Sequence, residues 1–252
     1  MKLLIIVLCI LLGIIIGFFP DIKKPKPLYW KILLLIIVSS SLIVNFIIPI
    51  PQVITLGELI RIMNFHVPTA WVAVLGFSMS MIYSIIYLKN RNIEYDILAS
   101  SSASLGMIFC ILATLTGMVW AKYNWGAYWN WDPRQTSIFI LLIIYFAYFS
   151  LRTALENQEQ KARLSAVYSI LAFVTVPFLV FIIPRLSDSL HPGSALDNGS
   201  GPILSTEAGS INFLLLLAFS YSMTAFTVIY FWLLNLRIRL KKIENYSQVI
   251  NI

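Results

Sequence analysis

Residues 132–153 read DPRQTSIFILLIIYFAYFSLRT, and this stretch contains the pattern that decides the fold. Its first four residues are typical of a helix start. They provide an aspartate cap, a proline at the first helical position and a glutamine three residues after the cap. An apolar run over 136–155 follows. An α-helix needs about 20 apolar residues to cross a bilayer, so the stretch predicts a membrane-spanning helix with a capped start.

Six further apolar runs predict an all-α, polytopic bundle of transmembrane helices. The chain is 59% hydrophobic and only 12% charged, whereas a soluble domain carries about 25% charged residues. The first run could be a signal peptide, but it is long for one and no Ala-x-Ala-like cleavage site follows it, so we predict a retained N-terminal helix. The seven runs lie at 3–19, 30–50, 67–88, 97–120, 136–155, 164–183 and 211–235.

Lysine and arginine are unevenly distributed between the connections, and this predicts the orientation of the chain. One set of segments holds 13 of the 18 basic residues, whereas the alternate connections hold four. We therefore expect the N-terminus outside and the C-terminus in the cytoplasm. The net charge of +7 follows from this asymmetry and does not indicate nucleic-acid binding. The basic segments are 20–31, 89–96, 152–163 and the C-terminal tail; the outward connections are 49–66, 121–135 and 184–210.

An aromatic segment, WGAYWNWDP at 125–133, lies in the second outward connection. Aromatic residues collect at membrane interfaces, but that tendency accounts for only one or two of the four tryptophans within 120–131. If the segment is helical, Trp125, Tyr128 and Trp129 share one face with Asp132, and Trp131 points elsewhere. This arrangement predicts a flat aromatic shelf at the interface. Such a shelf suits a porphyrin, and it suits other planar ligands too.

The chain has two histidines, His66 and His191, and both are predicted at outer ends of spans. A single histidine of this kind is more often a solvated loop residue. Two on the same side as the aromatic segment could bind one haem iron from both faces. Arg134 and Arg61 could pair with the haem propionates, or could simply extend their charges to the interface. For Asp132, helix capping could be the whole role.

Other classes of site find little support in the residues. Cys9 and Cys110 are far apart, and each lies within an apolar run, so a disulfide, a thiolate metal site and a redox dithiol are not expected. We find no nucleophile–base pair, no carboxylate dyad and no phosphate-binding glycine loop. We therefore predict that the protein is not an enzyme in the ordinary sense.

Three motifs resemble one known family. WGAYWNWDPRQTS resembles the tryptophan-rich "WWD" signature of cytochrome c assembly proteins, the family that includes CcmC, CcmF and CcsA. RIMNFHVPTAW at 61–71 and SLHPGSA at 189–195 resemble the two histidine-bearing outer segments of its CcmC branch, haem exporter protein C. The resemblance divides the chain into an added N-terminal helix with a basic cytoplasmic loop (1–29), a CcmC-like membrane domain of six spans (30–235) and a basic cytoplasmic tail (236–252).

The resemblance implies a haem-delivery role in a bacterial inner membrane. His66 and His191 match the axial ligands of a non-covalent b-type haem, and Trp125, Trp129, Trp131 and Asp132 match the signature. Haem would pass from the outer face to a CcmE-like chaperone. A CcmA/CcmB-like ABC transporter and a small CcmD-like subunit would work beside the protein.

Three alternatives remain open. One is a CcsA-like subunit of a cytochrome c synthase, because Tyr128-Trp129 and Trp131-Asp132-Pro133 also resemble that branch. CcsA-like proteins carry further histidines within their spans, and this chain has no histidine left for that role. The second is a b-type electron-transfer cytochrome, which usually buries its histidine pairs within spans. The third is a scaffold subunit without a ligand.

Overall fold

The computed structural model describes residues 2–18, 24–49, 57–197 and 211–250, and its regular structure there is entirely helical. This confirms the all-α prediction. The helices are α1 (Lys2–Phe18), α2 (Leu28–Ile47), α3 (Met63–Asn90), α4 (Ile93–Trp125), α5 (Pro133–Ala154), α6 (Gln158–Pro177), α7 (Ile183–Leu186) and α8 (Phe213–Ile250). A 3-10 turn (Gly57–Ile62) leads into α3, a π-helical turn (Phe178–Ile182) joins α6 to α7, and a second 3-10 turn covers Ala195–Asp197.

Six helical stretches are long and apolar enough to cross a membrane, which confirms the predicted six spans with one further N-terminal helix. Helix α1 has 17 residues and is therefore about 25 Å long at 1.5 Å per residue, a little less than the hydrocarbon thickness of about 30 Å. The six stretches are Leu28–Ile47, Gly57–Asn90, Ile93–Trp125, Pro133–Ala154, Gln158–Leu186 and Phe213–Glu244.

Helices α3 and α4 form the tightest pair in the bundle. Two residues join them, and Arg91 takes up the reversal with a left-handed φ of 53°. Asn92 then caps α4 by accepting the amide hydrogen of Glu94. Gly76 and Gly106 let the two backbones touch, since a Cβ added to Gly76 would lie 2.7 Å from the Gly106 Cα. Close approach through small residues is how membrane helices gain packing energy.

Helix α1 packs against α8 through a Gly-x-x-x-Gly pair. A Cβ on Gly13 would lie 2.9 Å from Thr227, and one on Gly17 would lie 2.2 Å from the Phe231 ring. The Thr224 hydroxyl also donates to the carbonyl of Cys9 in α1, at 2.9 Å. Helix α1 is therefore an integrated part of the bundle.

Charged residues tie the helices together at the end opposite the histidines. Arg152 of α5 makes a bidentate ion pair with Asp96 of α4, at 2.6 and 2.8 Å, and Lys242 of α8 pairs with Glu94. Helix α8 runs without a break to Ile250, so residues 236–250 of the predicted tail continue the last span as helix. Lys23, residues 50–56 and residues 198–210, which belong to the predicted connections, lie outside the described residues.

Candidate functional site

The aromatic segment is not helical, so the prediction of a shared helix face for Trp125, Tyr128, Trp129 and Asp132 is wrong. Helix α4 ends at Trp125, and α5 begins at Pro133. Gly126 has a φ of 81°, and its amide donates to the Lys122 carbonyl at 3.2 Å. Glycine adopts this left-handed conformation at little cost and commonly ends helices this way. Residues 126–132 are irregular, so the positions of the aromatic rings depend on contacts specific to this loop and not on helix geometry.

Two tryptophans of the segment form an edge-to-face cluster with Phe139 of α5. The centroid of Trp129 lies 5.7 Å from that of Trp131 and 6.1 Å from that of Phe139, and the Trp131 and Phe139 centroids are 6.2 Å apart. The expectation that Trp131 points away from the other rings is therefore wrong. Edge-to-face contact is a favourable aromatic geometry, and here it replaces the predicted flat shelf.

Trp131 is strained and exposed at the same time. Its φ is 55°, a left-handed conformation that costs an ordinary residue roughly 1–2 kcal/mol, and 67% of its surface is accessible. Neighbouring hydrogen bonds hold it there: the Thr136 hydroxyl donates to the Trp131 carbonyl at 3.2 Å, and the Asn130 amide donates to the side chain of Gln135 at 2.8 Å. Strain held by surrounding structure is a feature of functional loops.

Asp132 caps α5, as the sequence predicts, and it also holds the loop that carries His191. Its Oδ1 accepts the Arg134 amide at 2.9 Å and the Ser189 hydroxyl at 2.8 Å, while Oδ2 accepts the Leu190 amide at 2.9 Å. Ser189 Oγ in turn accepts the His191 amide at 3.0 Å. Capping is therefore not the only role of Asp132. Ser189 was missed from the sequence, where the only signal was a serine two residues before a histidine in a turn.

His191 presents one unprotonated ring nitrogen. Its Nδ1 lies 2.8 Å from the Pro192 carbonyl oxygen; because a carbonyl can only accept, Nδ1 carries the hydrogen and Nε2 keeps its lone pair. Burial, aided by the positive charge of Arg134, lowers the pKa of His191 to about 3. The ring is therefore neutral at pH 7. Trp125 packs edge-on against it, with centroids 6.5 Å apart.

His66 lies in the first turn of α3, and its Nδ1 is 3.0 Å from the Thr116 hydroxyl oxygen of α4. The two imidazole rings and the guanidinium of Arg134 lie within electrostatic range of one another. The fold thus brings together His66, His191, Arg134 and Asp132 from three separate segments. Trp125 joins them through its contact with His191.

Tyr128 and Arg61 are engaged elsewhere. Tyr128 is 54% exposed, and the ammonium group of Lys122 lies 5.7 Å from its ring centroid. Arg61 forms an ion pair with Glu58 and donates from Nη1 to the Asn45 carbonyl of α2. Among the two predicted propionate partners, Arg134 is therefore the one that acts on the histidine pair.

The donor set restricts what the site can bind. In the described parts of the chain, no group of three or more His, Cys, Asp or Glu side chains could hold a bare metal ion. Two neutral imidazoles suit a metal that already carries four in-plane donors, as haem iron does. The neighbouring tryptophans and a guanidinium match the apolar ring and the carboxylates of such a ligand. The residues present therefore fit haem.

Comparison with known proteins gives a family match along most of the chain. Residues 17–250 match the family model described as "Heme exporter protein C". The chain is 31% identical to a protein of that name from Bradyrhizobium diazoefficiens over 147 residues, which is 58% of this chain and 56% of the relative. It is also 31% identical to the one from Paracoccus denitrificans, over 58% of this chain and 60% of the relative.

The relatives also include a second branch. The chain is 37% identical to "Cytochrome c biogenesis protein CcsA" of Coffea arabica over 106 residues, which cover 42% of this chain and 32% of that protein. The chain thus spans less than two thirds of the length of each of these three relatives.

Proposed function

Because the chain belongs to the heme exporter protein C family, we propose that it binds haem at the outer end of its helix bundle and presents it for delivery during cytochrome c maturation. Membership of this family supports haem handling in cytochrome c biogenesis by an integral membrane protein. We also propose its haem ligands, its haem type, its partners and its orientation in the membrane.

In this proposal Nε2 of His66 and Nε2 of His191 would bind the haem iron. The observation that carries this assignment is the Nδ1 hydrogen bond of each ring, to Thr116 and to the Pro192 carbonyl respectively. A metal-bound histidine typically donates its second nitrogen to a nearby acceptor, which fixes the tautomer and the ring orientation. The haem would be a b-type haem held without covalent attachment, and its iron supplies the Lewis acid that the imidazoles bind.

The surrounding residues have separate roles in this proposal. Trp125, Trp129 and Trp131 contact the porphyrin, and the exposed Tyr128 borders it. Arg134 would pair with a propionate, and burial together with the charge of Arg134 keeps His191 in the neutral form that can bind iron. Arg61 is the second propionate candidate, and Glu58 and the Asn45 carbonyl already contact it. Asp132 keeps the His191 loop against α5.

The proposal places the protein in a bacterial inner membrane with its N-terminus outside, its C-terminus in the cytoplasm and the haem site on the outer side. The distribution of lysine and arginine supports this orientation. The partners we propose are a CcmE-like haem chaperone that receives the haem, a CcmA/CcmB-like ABC transporter and a CcmD-like subunit. In this role the protein is a delivery factor and not an enzyme.

The second candidate function is a CcsA-like subunit of a cytochrome c synthase. The similarity to the Coffea arabica protein favours it. Against it, both histidines of the chain already belong to the outer site, which leaves none to bind haem elsewhere in the bundle. Co-expression with an apocytochrome distinguishes the two. Holocytochrome formed without a CcmE-type chaperone would favour the synthase role.

Absorption spectroscopy of the protein purified in detergent tests the proposal. We expect the spectrum of a haem with two axial histidines, and its loss in His66→Ala and in His191→Ala. Arg185→Gln is a suitable control, because Arg185 lies in α7 and donates to the Phe181 carbonyl of its own helical segment. An unchanged spectrum in both histidine variants would refute the ligand assignment.

A further inference from the structure

We propose that Thr116 is a positioning residue that holds His66 in the tautomer able to bind iron, before any haem arrives. This inference rests on the proposed function, since it concerns the same site. It begins with two contacts between α3 and α4: the 3.0 Å approach of His66 Nδ1 to Thr116 Oγ1, and the close fit of the same ring against Gly117.

The Thr116 hydroxyl has a single hydrogen, which it donates to a backbone carbonyl of its own helix. The hydroxyl oxygen lies 2.9 Å from the Leu112 carbonyl and 3.1 Å from the Ala113 carbonyl, in position to donate to either. With its hydrogen directed there, Thr116 Oγ1 can only accept from the imidazole. His66 Nδ1 therefore carries the ring hydrogen, and Nε2 carries the lone pair.

Gly117 makes this geometry possible. A Cβ at position 117 would lie 2.9 Å from His66 Cε1, which is closer than carbon atoms pack without displacement. The absent side chain leaves a slot in the surface of α4, in which the ring lies beside the threonine. The slot sets the plane of the ring, and the hydroxyl sets which nitrogen is protonated.

The tautomer matters because the Nε2–H form, which free histidine prefers in water, has no lone pair on Nε2 for the iron. Loss of Thr116 as acceptor would shift the ring toward that preference, and binding would then more often require a change of tautomer. Fixing the competent form in advance removes this cost, as preorganisation does in general. His191 reaches the same state by another route, through the Pro192 carbonyl.

Nitrogen NMR of haem-free protein labelled with 15N-histidine tests the inference directly. The chain has only two histidines, so protein purified without a histidine tag gives two pairs of ring signals. We expect the Nδ1–H tautomer for both rings in the unsubstituted protein. In Thr116→Val, the His66 signals should move to the Nε2–H pattern while those of His191 stay unchanged, and Thr116→Ser should restore the original pattern.

Thr114→Val is the matched control. Thr114 lies two residues earlier on α4, and its hydroxyl also donates to a carbonyl four residues back, that of Cys110 at 2.8 Å. This hydrogen bond lies within α4, so its loss should leave both tautomers unchanged. An Nε2–H form of His66 in the unsubstituted protein, or the same change in both variants, would overturn the inference.

Haem titration of the same variants separates this inference from the proposed function. Loss of an outer-shell hydrogen bond typically weakens metal binding about 10- to 100-fold, and we expect that range for Thr116→Val. A protein that loses its haem spectrum in His66→Ala but binds haem normally in Thr116→Val would retain the proposed function and refute the role of Thr116. Unchanged spectra in both histidine variants would refute the ligand assignment of the proposed function, whereas the NMR experiment tests the Thr116–His66 hydrogen bond without haem.

Discussion

Replacing Asp132 with asparagine is expected to weaken haem binding while leaving α5 intact. The carboxylate accepts three hydrogen bonds, of which one caps α5 and two hold the loop before His191. Asparagine caps helices about as well as aspartate, so the bond to the Arg134 amide survives. Its NH2 group cannot accept the Leu190 amide, however. A hydrogen bond to a charged group contributes about 1.5–3 kcal/mol, and this is the contribution that the substitution removes.

The lost hydrogen-bond energy lowers the haem affinity if the freed loop must become ordered again when haem binds. At about 1.4 kcal/mol for each factor of ten, haem should bind roughly 10- to 100-fold more weakly to Asp132→Asn. Haem titration followed by absorbance gives the affinity, and thermal unfolding by circular dichroism reports helix stability. Asn157→Ala is the control, because it removes the cap of a different helix, α6. It should lower the stability by about 1 kcal/mol and leave the haem affinity unchanged. Unchanged haem affinity in Asp132→Asn would show that the Leu190 hydrogen bond does not contribute to haem binding.

Three other substitutions test separate features. Trp131→Gly should relieve the left-handed strain but remove the ring contacts with Trp129 and Phe139, so thermal stability should change little, whereas haem retention during gel filtration should fall. Gly117→Ala should lower haem affinity at least tenfold in the titration, because its Cβ would collide with the ring of His66; full affinity would argue against the slot. Arg134→Gln should raise the pKa of His191 above its value of about 3, since a positive charge that opposes protonation is removed. A 15N titration of that ring measures the change, and a lower pKa would contradict the electrostatic account.

The spans were predictable because each needs an apolar run of nearly fixed length. The full lengths of the helices could not be predicted, because a hydropathy pattern detects only the part of a helix that is apolar enough to lie in lipid. The predicted span 97–120 is longer in the structure, where α4 covers Ile93–Trp125. Most of the added residues are polar or aromatic, so the search for apolar runs did not include them. The length of a helix beyond the membrane depends on caps and on packing against its neighbours.

The sequence was enough to predict which residues belong to the candidate site, but not how these residues are arranged. Histidines, tryptophans and arginine are rare enough in this chain to be noticed. One glycine, Gly126, was enough to end the helix that the predicted aromatic shelf required. The contacts of Asp132 with Ser189 and of His66 with Thr116 join residues 57 and 50 positions apart. Such pairs depend on how the helices pack, and no spacing in the sequence encodes them.

The close contact between Gly76 and Gly106 makes the two halves of the site unequal in mobility. Helices α3 and α4 touch there and are joined by a two-residue turn, so His66 belongs to a closely packed helix pair. The opposite histidine belongs to a loop that Asp132 holds by two hydrogen bonds. A ligand held between the histidines therefore has one side that stays in place and one that can open. If haem binds as proposed, its release would depend on the stability of that loop, and a haem acceptor would gain access most easily from the loop side.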